Sequence, residues 1–136
     1  MLTPKKTKYR KTQKGRRLKR DFESRGVDLE YGNFGICSLE NKRITSRQIE
    51  SARRILLRFI RKGGKIWIRV FPDKPVTKRP PEKRQGGGKG DVDHYVFQVK
   101  PGRVIFELGG ILEADAMNAL KQISYKLPFK TKTIKR

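Results

Sequence analysis

The chain has 136 residues, with 35 Lys+Arg against 13 Asp+Glu, for a formal net charge of +22. That length fits one domain, and a hydrophobic fraction of 35% matched by a charged fraction of 35% leaves it a modest core. The single cysteine, Cys37, excludes an intramolecular disulfide framework and a Cys-rich zinc site, and no apolar run reaches the ~18 residues of a membrane helix.

The charge comes in blocks. Residues 1–26 hold eleven basic and two acidic side chains, and residues 47–90 hold fourteen basic and three acidic ones. The stretches 27–46 and 91–126 are each slightly acidic, and the last ten residues add four more cations. Like charges packed this way repel one another, and a polyanion relieves the repulsion. Residues 1–26, rich in Lys, Arg and Thr, bury too little to order themselves and read as a basic arm that takes shape on its partner. Lys5, Lys6, Lys8, Arg10, Lys11, Lys14, Arg16 and Arg17 are its candidate phosphate contacts.

A single domain is expected over 27–127. Val27-Asp28-Leu29 and Phe34 to Leu39 read as short strands around Gly32-Asn33. Thr45 followed by Gln48 is a capping-box signature, so a helix should start there and run to Lys62, with Gly63-Gly64 as its stop. Ile49, Ala52, Leu56, Phe59 and Ile60 recur at helical spacing and should face a core. Arg47, Arg54, Arg58 and Arg61 fall on another face, with Glu50 the only acid beside them, and guanidinium forks match phosphate oxygens. Lys65 to Phe71 alternates as a strand, with Trp67 and Phe71 read as a second packed layer. Pro72, Pro75, Pro80 and Pro81 argue against regular structure in an extended loop over 72–91. Lys78, Arg79, Arg84, Gly86, Gly88 and Lys89 make that loop a flexible basic finger whose glycines let backbone approach a phosphate. Tyr95 to Val99 and Val104 to Leu108 read as a hairpin turning at Pro101-Gly102, followed by a helix from Glu113 to Lys126 and a basic tail over 128–136. The order predicts an α+β domain in which two helices cover an antiparallel sheet.

Catalytic chemistry is thin. His94, the only histidine, stands beside Asp91 and Asp93, but no second cluster completes a metal shell. Cys37 falls in a strand as a buried, inert thiol. Gly88-Lys89-Gly90 lacks the Ser or Thr that a phosphate-binding Walker loop places after its lysine, so no cofactor is expected. Zinc fingers, zippers and paired recognition helices are missing, which leaves backbone recognition of a folded RNA by arm, helix face and loop. Two rivals remain: an RNA-modifying or nucleotide-using enzyme, which would need His94, and a membrane-surface or calmodulin-type binder built on residues 45–62.

Thr45-Ser46-Arg47-Gln48-Ile49-Glu50 with Arg53-Arg54, the run from Gly64 through Phe71-Pro72-Asp73-Lys74-Pro75 to Thr77, Gly88-Lys89-Gly90, Met1 to Arg10, and Lys126 to Thr131 are collinear along the whole chain. Together they resemble the large-subunit ribosomal protein sixteen family of bacteria and organelles. The resemblance implies an α/β-hammerhead-type fold and a structural, non-enzymatic role in the ribosome. It implies large-subunit rRNA, tRNA and neighbouring large-subunit proteins as partners, with no membrane and no homo-oligomer. The glycine loop would point toward tRNA near the peptidyl transferase centre while the arm threads into rRNA, so that loop and arm divide the labour. The sequence departs from the family pattern at Gln85, where Arg-Met-Gly is usual, at Val96 after Tyr95, and in a first helix made bulkier by Ile55, Leu56, Leu57 and Phe59. The family's start coincides with Met1, which implies no transit peptide, and the divergence tilts the expected source toward a mitochondrion over a bacterial cytoplasm.

Overall fold

The computed structural model describes residues 2–15, 21–60, 63–82, 84 and 86–136. Seven strands and two helices follow one another among them. In chain order these are β1 (Phe34–Ser38), β2 (Lys42–Thr45), α1 (Ser46–Phe59), β3 (Lys65–Ile68), β4 (Lys74–Lys78), β5 (Asp91–Val99), β6 (Val104–Gly109), α2 (Glu113–Ser124) and β7 (Thr131–Lys135). They make an α+β fold with two antiparallel sheets, one ordered β3-β6-β1-β7 and the other β2-β5-β4.

The capping box forms as the sequence implies. The Thr45 hydroxyl accepts from the Gln48 amide at 3.3 Å, and the Gln48 side chain accepts from the Thr45 amide at 3.0 Å. Two otherwise orphaned donors are satisfied at once. Thr45→Ala should therefore cost about 1 kcal/mol and lower the melting temperature by about 3–5 °C. A thermal melt superimposable on wild type would show that the cap contributes nothing.

Ile49, Ala52 and Leu56 of α1 meet Ala116, Ala119, Leu120 and Ile123 of α2 in the core, over Ile36, Phe106 and Leu108 of the four-stranded sheet. Each large aliphatic so buried contributes about 1.5–3 kcal/mol. All six residues of β6 are buried, because helices cover one face of its sheet and the segment 26–32 covers the other. That segment is where a strand over Val27-Asp28-Leu29 is expected, and it has none. Instead Leu29 packs on Gly35 of β1, and Gly26 accepts from the Val104 amide at 3.0 Å. Cys37 is buried, and desolvation pushes its thiol up despite the opposing influence of Lys132, as an inert thiol requires.

Five other expectations change. β5 and β6 are consecutive but do not pair: β5 lies between β2 and β4, and β6 between β1 and β3. The turn does form, with the Arg103 amide donating to Lys100 at 3.2 Å, but beyond it Arg103 and Val104 bond to Ser38 and Gly26, which draw the chain into the other sheet. The stretch after Pro72 contains β4, since Pro75 lies on an edge strand where a missing N–H costs no ladder bond. The C-terminal tail contains β7, whose Lys132 and Lys135 suit an edge strand. α1 ends at Phe59, with Ile60 extended, and Lys62 lies outside the described residues. α2 ends at Ser124 rather than Lys126.

Candidate nucleic-acid interface

Described residues near both ends of the arm contact the domain. Leu2 packs against the core, and the Lys14 carbonyl accepts from Arg43 Nη2 at 2.6 Å. At the arm's far end the Glu23 amide donates to Pro101 at 2.9 Å, and Arg103 Nη1 donates to the Arg25 carbonyl at 2.8 Å. Lys5, Lys6, Lys8, Arg10 and Lys14 are exposed along it, and Lys8 lies over the ring of exposed Tyr9, 5.5 Å from its centroid. Arg16 and Arg17 fall outside the described residues.

The glycine loop is folded on itself. Gly86, Gly87 and Gly88 take φ of +114°, +72° and +83°, a left-handed run that side chains disfavour. Arg79 Nη2 donates to the carbonyls of Gly86 and Gly88, each at 2.8 Å. Arg79 thus shapes the loop, while Lys78 and Arg84 are exposed beside it. Lys89 is tied to the arm: its ammonium donates to the Thr12 carbonyl, and Lys11 Nζ donates back to the Lys89 carbonyl at 2.9 Å.

On α1, Arg47, Arg54 and Arg58 are exposed, and Arg61 lies outside the described residues. Glu50 does not leave this face bare. It takes Arg53 bidentately at 2.8 and 2.7 Å and Arg54 at 3.2 Å. The bond from Arg53 leads in holding its carboxyl down to about 2. Arg54 therefore shares its charge with Glu50, whereas Arg47 turns toward β5.

Cations of the arm, of α1 and of the end of β4 meet at the start of β5. Asp91 has Arg10 and Lys11 of the arm at 3.7 Å each. Asp93 bonds His94 at 2.7 Å, and that bond, with Lys78 and Arg47 nearby, holds its carboxyl below the ordinary value. A cavity there is lined by Thr3, Arg47, Lys78, His94 and Tyr95 among others. The arm, α1 and the end of β4, far apart in sequence, thereby share one surface.

Sequence reasoning missed a second polar centre. Glu107 is fully buried on β6, and its carboxylate accepts the amides of Glu30, Tyr31 and Gly32 at 3.2, 2.7 and 2.8 Å as well as the Arg69 guanidinium. Burial pushes this carboxyl up, but those donors together outweigh it and leave it below its ordinary value of 4.5. Arg69 also reaches Glu30 at 3.0 Å. An acid inside an otherwise apolar strand, with an arginine in the alternating run Lys65 to Phe71, is the signal that could have found the pair.

Residues 4–134 match the family described as ribosomal protein L16p/L10e. The chain belongs to that family. It is 54% identical over 136 residues to the large ribosomal subunit protein uL16 of Trichodesmium erythraeum (strain IMS101), covering 100% of this chain and 98% of that one. As an L16p/L10e member the chain is a structural constituent of the large ribosomal subunit and acts in translation at the ribosome. That relative is bacterial, so the tilt toward a mitochondrion gains no support from it.

Proposed function

We propose that this L16p/L10e protein acts without catalysis and without forming a homo-oligomer, and neutralises large-subunit rRNA phosphates through the arm, the exposed face of α1 and the glycine loop acting as one surface. The loop tip at Arg84 and Gly86 to Gly88 reaches on toward tRNA. The observation that carries this reading is the convergence at Asp91 and Asp93, which puts cations of the arm, of α1 and of the end of β4 around the start of β5. Arg79 and Lys89 shape and anchor the loop, which leaves Lys78, Arg84, Arg47 and Arg58 to meet phosphate.

Binding of the full chain to large-subunit rRNA, measured across a salt series, tests the proposal. Contacts to Z phosphates give log K a slope against log salt of about −0.7Z to −0.9Z. A shallow slope, equivalent to one or two contacts, would contradict a surface of three blocks. A cross-linker placed at Gly86 should capture tRNA in translating ribosomes, and capture of rRNA alone would remove the tRNA half of the proposal.

The bonds between Lys11, Thr12 and Lys89 modify the expected division of labour, because loop and arm support each other. Lys89→Ala removes one bond that closes the arm onto the loop, so trypsin should cut the arm near Lys11 and Lys14 about 2- to 10-fold faster, the opening that a net hydrogen bond controls. Cutting at the wild-type rate would mean the arm is held independently of the loop.

A further inference from the structure

Tyr31 is an aromatic side chain fixed in place yet left 59% exposed. Its ring stacks on Trp67 with centroids 6.0 Å apart and planes 19° from parallel, and the Arg69 guanidinium carbon lies 5.1 Å from its centroid. Trp67 lies in β3 and Arg69 just past its end, and both lie against the Tyr31 ring. Trp67 can lie flat here because Gly109, on the neighbouring strand β6, leaves room for it: a Cβ at that position would come within 3.0 Å of the indole.

The ring is also held from behind. Its own amide, with those of Glu30 and Gly32, donates to buried Glu107, and Glu107 in turn holds Arg69. Glu30, the nearest acid in sequence, is committed to Arg69 at 3.0 Å, and Lys65 is exposed at the start of the same edge strand. A buried ion pair, three backbone bonds and a stacked indole are thus spent on fixing one solvent-facing ring.

We propose that Tyr31 is a stacking platform for an unpaired nucleobase of large-subunit rRNA, with Trp67 and Arg69 as its backing. This rests on the rRNA-binding reading above and adds a contact to a base where that reading has contacts to phosphate. A flat ring pre-fixed at low entropic cost suits the π-face of a base, and the guanidinium against it adds a cation to the stack. The contact tolerates any base and is largely insensitive to salt, unlike those of the arm.

Tyr31→Ala, Tyr31→Leu and Tyr31→Phe in the full chain, each titrated with large-subunit rRNA at several salt concentrations, test the platform. Thermal unfolding of each variant reports whether the fold survives. Ala and Leu should weaken binding about 5- to 150-fold, the usual range for losing a stacked base, with the salt slope unchanged, while Phe should bind like wild type. Leu covers Trp67 without offering an aromatic face, so a Leu variant that binds as wild type would overturn the platform and leave Tyr31 a packing residue. A loss accompanied by a shallower salt slope would overturn it too, since that marks lost phosphate contacts. If wild type itself fails to bind this rRNA, the rRNA-binding reading falls and the platform with it.

Discussion

Glu107→Ala should remove about 3–5 kcal/mol of stability, a large part of the 5–15 kcal/mol that holds a domain of this size together. The substitution deletes the acceptor for three consecutive amides and leaves Arg69, whose side chain is 12% exposed, without its buried counter-charge. It also leaves a cavity beneath residues 30–32. Glu107→Gln keeps one acceptor oxygen and most of the volume, so it should lose less than Ala. The pH dependence follows from the direction of the Glu107 shift. Its carboxyl is held below 4.5 in the folded chain, so its contribution is fully present above that value and disappears as pH falls through the folded-state pKa. Denaturant unfolding between pH 7 and pH 3 should show this acid-side loss in wild type, reduced in Glu107→Gln. A Glu107→Ala protein as stable as wild type would mean the 30–32 segment is held by something else.

Replacing Lys5, Lys6 and Lys8 together with Ala should weaken rRNA binding about a hundredfold or more near 0.1 M salt and make the salt slope shallower by about 2–3 units. All three side chains are exposed, so their charges are presented outward. Because they take no part in the core, the melting temperature of the free protein should stay constant or rise slightly as repulsion is relieved. Binding that weakens with no change in slope would assign these lysines to something other than phosphate.

Local signals in the sequence were legible where one residue's requirement decides the outcome. Thr45 and Gln48 start α1 because orphaned amides need those side chains, and the spacing of Ile49, Ala52 and Leu56 marks the buried face. What stayed hidden depends on partners distant in sequence. Val99 and Val104 flank a turn that looks like a hairpin, but which sheet each strand joins is set by β1, β2, β3 and β4. β4 and β7 were obscured because Pro75 and the charged Lys132 and Lys135 suit an edge, and edges exist only once the sheets are built.

The same distinction holds for the basic surface. Its blocks could be read from charge, and so could the Arg face of α1. That Arg79 folds the glycine loop, that Lys89 grips the arm, and that Asp91 and Asp93 gather cations of the arm, of α1 and of the end of β4 are facts of tertiary placement. Glu107 and Arg69 are apart in sequence but pair across β6 and the end of β3, and no periodicity announces such a pair.

Sedimentation of the tagged full chain from native cells, on gradients at moderate and then high salt, tests the central claim most directly. Co-migration with the large subunit that persists into high salt is the expected result, because a surface built from arm, helix and loop is held at many points. A chain that stays at the top of the gradient at moderate salt would contradict its place as a constituent of that particle.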